Sequence, residues 1–264
     1  MQLFVSLQRQ TDKVKPQKRT NMKTQLLLSL ALVMLSVSGC RVNLGDGAEI
    51  IEPSEKIVKA KYPQASFDKV ENQTVGDIQL IQSDQSRVTL SAPENYIDLF
   101  AFENEGGKLK IKYAKNNVNI HSANITILVY TPTLQEIKNT GAADIRLDNL
   151  KTENLEVKNS GVGSFNLKNL EVRKIDVSCS GVGSIVVSGQ TDEAKYTCSG
   201  VGSINAKDLK AQEVEASISG VGGVECHASE AIKGNISGVG GLKFAGHPAK
   251  KDLHHSMTGG FTEL

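Results

Sequence analysis

The chain has 264 residues, 39% of them apolar by the broad definition and 22% charged, with 24 glycines, five per cent aromatics and no tryptophan. Residues 1–23 hold six of the 30 bases and one of the 29 acids, and residues 24–40 hold no charge, so 41–264 carry 24 bases against 28 acids. A mildly acidic, aromatic-poor body has no electrostatic footprint for nucleic acid and little surface for base or sugar stacking.

Met22-Lys23 opens a short basic start, Leu26 to Val37 is almost wholly apolar, and Ser38-Gly39-Cys40 is a small-residue exit. This is the layout of a secretory signal, and the apolar run falls short of the ~20 residues a spanning helix needs. Residues 1–21 precede this start and fit no targeting pattern; they read as an over-called start or an extension. Val37-Ser38-Gly39-Cys40 resembles the lipobox of bacterial lipoproteins, which implies a lipid on the Cys40 sulfur and a membrane anchor that does not span. Arg41, rather than the aspartate that resembles an inner-membrane retention signal, follows the cysteine and favours the outer membrane. The alternative is an ordinary signal with a chance cysteine.

Residues 41–65, with Gly45, Gly47, Pro53 and Pro63 among scattered charges, read as a tether with a short helical stretch over Ser54 to Lys61. From Phe67 to Tyr130 short β-type runs succeed one another: Val75 to Ile81 around an early glycine turn, Arg87 to Leu90, Lys108 to Tyr113, and Asn124 to Tyr130. Gly106-Gly107 predicts a hairpin connection, and Asn95 to Phe102 suits either a helical turn or a strand. Residues 66–132 therefore form a β-rich N-terminal cap on residues 133–264, covering strand edges that would otherwise be open.

Residues 133–264 are built on one repeated pentad. Ser160-Gly161-Val162-Gly163-Ser164 recurs unchanged at 180–184 and 199–203, as SGVGG at 219–223 and 237–241, and in weaker form at Thr140 to Asp144. The first glycines are spaced by 20, 20, 19, 20 and 18 residues, the mark of a solenoid. Four residues before them stand Ile137, Val157, Val177, Tyr196, Ala216 and Gly234; four after stand Ile145, Phe165, Ile185, Ile204, Val224 and Leu242. Further apolar columns lie two residues outward on each side, with Gln135 as the one break. Alternation of period two on both sides of the glycines predicts two short strands per turn, each with one face inside. The fold class is therefore all-β: a parallel β-solenoid of about 20 residues per turn, right-handed by the usual crossover preference, with a β-rich N-terminal cap.

The glycines are read as structural corners: Gly141, Gly161, Gly163, Gly181, Gly183, Gly200, Gly202, Gly220, Gly222, Gly238 and Gly240. Glycine reaches positive φ without steric cost, and stacked corners bring backbones close together. The serine before each corner suits a hydroxyl ladder or an amide cap. A dinucleotide fingerprint is excluded because a strand, not a helix, comes after each copy. Calcium stacking would need an aspartate in every repeat, and only Asp77 and Asp144 hold comparable places.

Cys179 and Cys198 fall at one interior position in adjacent turns. In-register neighbours ~4.7–4.9 Å apart sit wider than the ~3.5–4.5 Å Cβ separation of a disulfide. Buried free thiols are the reading and a disulfide the alternative; Cys226 lies in another column and is free. Of His121, His227, His247, His254 and His255, only Cys226-His227 with His247 hints at metal, and surface histidine is preferred. No paired carboxylates recur on one face, so neither catalytic residues nor a cofactor are assigned.

Leu99-Phe100, Gly106 to Ile111, Tyr130-Thr131-Pro132-Thr133-Leu134 and the repeated Ser-Gly-Val-Gly-Ser turns together resemble the "head GIN" domain family, named for auto-transporter adhesins and found mainly in Bacteroidetes envelope lipoproteins. The likeness covers about residues 66–262 and implies a β-solenoid at the envelope, with no binding or catalytic residues to carry over. No translocator barrel is recognisable in the chain. Three functions are expected, in this order: a lipid-anchored adhesive or structural module binding an unknown protein or glycan, a periplasm-facing scaffold or binding lipoprotein for envelope maintenance, and a glycan-active enzyme.

Overall fold

A computed structural model describes residues 50–256 and 259–264. The lipobox with Cys40, the signal segment and the first part of the tether lie outside the described residues.

The repeats stack as expected. Strand Phe165–Cys179 pairs in parallel with Val182–Cys198, which pairs with Val201–Ile218, which pairs with Val221–Ile236, each turn lying on the last. About six turns of about 20 residues form the β-solenoid. The corner glycines are in register, Gly183 beside Gly202 and Gly202 beside Gly222. All four apolar columns face inward: Val157, Val177, Phe165, Ile185, Leu167 and Ile175 are at most 1% exposed.

Each turn has three sides where the apolar columns predict two. Pairing is interrupted at the glycine pentad, again around Lys168-Asn169, and again at Arg173 and its counterparts Glu153, Asp192 and Gln212. Between the second and third corners lies a short side whose inward residues are Leu170 and Val172 in one turn, Leu209 and Ala211 in another. The irregular steps arise on this side. Ala206 pairs with Cys226 and Lys210 with His227, so Lys207, Asp208 and Leu209 have no counterparts in the 18-residue turn. One added residue at the third corner leaves the net shortening of two.

The N-terminal end is closed by antiparallel pairing. Lys69–Asn72 and Val75–Gln82 make one further solenoid-like turn, stacked between the repeats and strands Lys108–Tyr113 and Thr126–Thr131. Beyond it Arg87–Pro93 runs antiparallel to Thr126–Thr131, Ile57–Pro63 antiparallel to Arg87–Pro93, and Phe100–Glu105 antiparallel to Lys108–Tyr113 around Gly106-Gly107. The segment Glu94–Leu99 is a 3-10 helix and Phe100–Glu105 a strand, so Asn95 to Phe102, which suits either, is divided between the two. Ser54 to Lys61 is not helical: Ile57–Pro63 is an edge strand with alternating exposure, so the sheet begins before residue 66. Helix formation there would forfeit five of the seven residue pairs with Arg87–Pro93, from Ile57 to Lys61. Lys59, Lys61 and Pro63 on this edge suit a strand that must not recruit another chain.

The C-terminal end is closed by charge. In the last turn Lys251 lies in register with Ile232, and Glu263 with Phe244, two core columns. Lys251 Nζ donates to both Glu263 carboxylate oxygens at 2.8 and 2.7 Å, and His247 Nδ1 is 3.2 Å from the same group. An ion pair thus sits where the next layer of apolar side chains would begin.

Candidate functional site

The corner glycines are a structural device, and the structure divides the two reasons for them. The first glycine of each pentad does not have a left-handed φ; a Cβ at Gly161, Gly181, Gly200 or Gly220 would instead overlap the carbonyl of the corner beneath. Within the pentads, positive φ occurs only at second glycines such as Gly163 (129°) and Gly183 (143°). Close stacking therefore demands glycine more generally than backbone conformation does. The serines contribute little: Ser160 Oγ donates to the Asn139 carbonyl at 3.3 Å, and Ser184 Oγ to Ser164 Oγ at 3.3 Å.

The central residue of each pentad points outward. Val162, Val182, Val201, Val221 and Val239 are 52–57% exposed and stand in register along the corner. Serine and glycine flank them, so the row is apolar and uncharged.

Just inside the corner runs a polar column that the residue pattern does not announce. Asn72, Asn139 and Asn159 are fully buried and stacked. Asn72 Nδ2 donates to Asn139 Oδ1 at 2.9 Å, Asn139 Nδ2 to Asn159 Oδ1 at 3.2 Å, and Asn159 Nδ2 to the Gly163 carbonyl at 3.0 Å. Cys179 and Cys198 continue this column, and the Cys198 thiol lies 3.4 Å from the Gly202 carbonyl, the equivalent acceptor. Both cysteines are buried and unbonded, as is Cys226. Burial pushes the Cys198 thiol up to about 11, with the neighbouring Cys179 adding to it, and burial pushes Cys226 up to about 12. These thiols are held neutral and unreactive. Tyr196, wholly buried beside the small residues of later turns, has no partner for its hydroxyl.

The largest concavity among those described is an open groove of about 940 Å³ on the short third side. Its wall is one in-register row: Lys151, Glu171, Gln190, Lys210 and His227. A second row lies at the third corner itself, with Glu153, Arg173, Asp192 and Gln212. Val172, Thr191 and Ala211 form a floor that is 2–6% exposed. The acids are engaged: Lys151 lies 3.2 Å from Glu171, Arg173 lies 3.4 Å from Glu153, and Gln212 Nε2 donates to Asp192 at 3.3 Å. Burial, then the nearby Lys210 charge, lower the pKa of His227 and keep its ring neutral at pH 7. Nδ1 of His227 is buried and has no partner.

The remaining sequence candidates are scattered. Asp77 and Asp144 are in register beside the first corner; Asp144 accepts from the Ser164 amide at 2.8 Å, and Arg146 lies 3.6 Å from Asp77. His254 pairs with Asp252 at 2.7 Å, and His121 lies 3.6 Å from Glu52. Among the described residues no three of His, Cys, Asp and Glu stand together to hold a metal, and no helix is long and apolar enough to cross a membrane.

A family profile described as "Putative auto-transporter adhesin, head GIN domain" matches residues 66–248. A solved structure described as a putative adhesin, from Bacteroides fragilis, is similar at 30% identity and a TM-score of 0.77, covering 81% of this chain and 100% of that one. A protein from Parabacteroides distasonis described as a putative lipid binding protein has 21% identity and a TM-score of 0.66, over 82% of this chain and 100% of its own. A putative adhesin from the same species has 20% identity and a TM-score of 0.60 over the same shares. No curated protein matches the chain.

Proposed function

The chain belongs to the auto-transporter adhesin head GIN domain family, and from that premise we propose that it is a non-catalytic, lipid-anchored binding module of the cell envelope. The observation that carries this reading is the groove of about 940 Å³, which runs across successive turns on one side. A surface made of repeated rows suits an extended partner contacted at many equivalent points. Engaged carboxylates such as Glu153 and Glu171 suit recognition better than acid–base chemistry. The similarity to the Bacteroides fragilis protein over its whole length supports an adhesive role. The lipobox and Arg41 support attachment through Cys40 to the outer membrane, and placing the solenoid at the cell surface follows from the adhesive reading alone.

A second reading, a periplasm-facing scaffold or binding lipoprotein, draws support from the exposed valine row, an uncharged apolar strip suited to a partner inside the envelope. Protease treatment of intact cells separates the two. Cleavage of the solenoid in cells whose envelope stays sealed is the expected result, and full protection refutes the surface adhesin. Metabolic labelling with a fatty-acid analogue tests the anchor: label is expected on the native chain and lost in Cys40→Ala.

A further inference from the structure

We propose that the groove on the third side holds a linear, uncharged glycan lying parallel to the solenoid axis. This rests on the reading of that side as the binding face, and it names the ligand class.

Charge argues first. Lys151, Arg173 and Lys210 are balanced in the groove by Glu153, Glu171 and Asp192. Two of the bases are already paired with two of these acids, and His227 is neutral. A polyanion or polycation meets no net field here, and at Lys151 and Arg173 it would have to displace a carboxylate already in place.

The backbone excludes an added strand. Glu171, Gln190 and Lys210 belong to continuous parallel ladders with the turns on either side, so their amides and carbonyls are spent. A polypeptide could not bind here by main-chain pairing, the mode that gives extended peptides their affinity on sheet edges.

An apolar ligand gains little. The floor residues Val172, Thr191 and Ala211 leave almost no surface to remove from water.

What the groove does offer is amides and paired ions at strand spacing. Gln190 and Gln212, with Gln135 and Asn154 along the rim, each both donate and accept. A hydroxyl also does both, and a chain of sugars presents hydroxyls repeatedly along one direction. The five in-register residues of the wall, from Lys151 to His227, span roughly 20 Å at the ~4.8 Å strand spacing. No aromatic lines the groove, so stacking contributes nothing and each sugar is held weakly by hydrogen bonds. Affinity must then accumulate over consecutive units, which makes length the signature of this site.

The test is calorimetry on the full-length protein in detergent with neutral gluco-, manno- and xylo-oligosaccharides of graded length. Oligogalacturonate serves as the anionic counterpart and an unfolded polypeptide as a third probe. At least one neutral series should bind, with Kd falling at least tenfold from trimer to octamer and changing less than twofold between 50 and 500 mM salt. The surface variant Gln190→Ala/Gln212→Ala, checked for an unchanged melting curve, should weaken binding at least tenfold. Preference for oligogalacturonate or for polypeptide, lost in the same variant, overturns the neutral glycan while leaving the groove as the binding face. Neutral-glycan binding that the variant leaves unchanged overturns the groove itself. Failure of all three neutral series to bind overturns the proposal.

Discussion

Replacing Gly200 by alanine tests the stacking of corners directly. A Cβ at this position lies 2.5 Å from both the carbon and the oxygen of the Ser180 carbonyl and closer still to the Gly181 carbonyl oxygen. Ordinary C···O approach is ~3.3–3.6 Å, so the two turns must part by about 1 Å. The obstacle is backbone, which no rotamer change relieves. The Gly200 amide bonds to the Cys179 carbonyl at 3.1 Å and the Val201 amide to the Gly181 carbonyl at 3.0 Å. Parting by about 1 Å stretches both beyond hydrogen-bonding range. These bonds lie at a half-exposed corner, so each one lost costs about 0.5–1.5 kcal/mol and the pair about 1–3 kcal/mol. That is a large share of the ~5–15 kcal/mol that holds a domain folded. The internal control is Gly260→Ala, where nothing lies within 4 Å and φ is not left-handed; there the effect should stay within about 1 kcal/mol, on the stabilising side. Urea titration of the three proteins gives the comparison. Gly200→Ala within about 1 kcal/mol of Gly260→Ala would refute the stacking explanation.

Four further outcomes are expected from the interior and the charged end. Asn139→Leu removes the middle of the buried ladder and orphans groups on Asn72 and Asn159; a loss of about 2–4 kcal/mol in urea melts is expected, and a loss below about 0.5 contradicts a bonded column. Tyr196→Phe deletes a buried hydroxyl that has no partner and should leave stability unchanged or raise it by up to about 1 kcal/mol, measured the same way. The thiols set a pH dependence: with Cys198 raised to about 11 and Cys226 to about 12, the unfolded chain loses protons first as pH rises above its ordinary thiol value of about 8.5. Unfolding then releases protons, so this contribution is fully present below about pH 8.5 and fades by up to ~1.4 kcal/mol per pH unit per thiol until the folded values are reached. Replacing Cys226 by alanine should flatten the decline between pH 9 and 11, and an unchanged slope would show that the thiols are not its source. Finally, Lys251→Ile/Glu263→Leu should convert the charged end into an apolar one and produce concentration-dependent association in light scattering; a strictly unchanged mass would show that the ion pair is not what closes that end.

Most of the solenoid was legible because its code is redundant. Val157, Val177 and Tyr196 occupy one place turn after turn, and period-two alternation around a fixed glycine admits few other arrangements. The third side was hidden by its brevity. One of its two inward positions passes from Leu170 to Gly189 to Leu209 and vanishes in the shortened turn, and the other passes from Val172 to Thr191 to Ala211 to Ala228, so no uniform column emerges from the letters. The groove was lost with it. Asn139 and Asn159 hold the same place before the corner as Cys179 and Cys198, but polarity gives no sign of a buried ladder, in which each amide is satisfied by the next. Val162 and its counterparts mislead in the opposite sense, since an apolar residue between two glycines is carried outward by the corner. Ser54 to Lys61 reads as a short helical stretch, and the antiparallel partner of Ile57–Pro63, which no local pattern reveals, makes it a strand instead.

The two dissimilar ends have a consequence for how this protein can change over time. One end is finished by antiparallel strands and the other by Lys251 and Glu263, and neither depends on how many layers lie between them. Duplication of a segment such as residues 200–219, one whole repeat from corner to corner, adds a layer of ~4.8 Å without disturbing either terminus. The molecule is in effect a ruler whose graduations are copied by unequal recombination. Each added graduation lengthens the grooved side by one layer, so, on the proposed reading of that groove, reach and grip can be tuned by copy number while every individual contact stays the same.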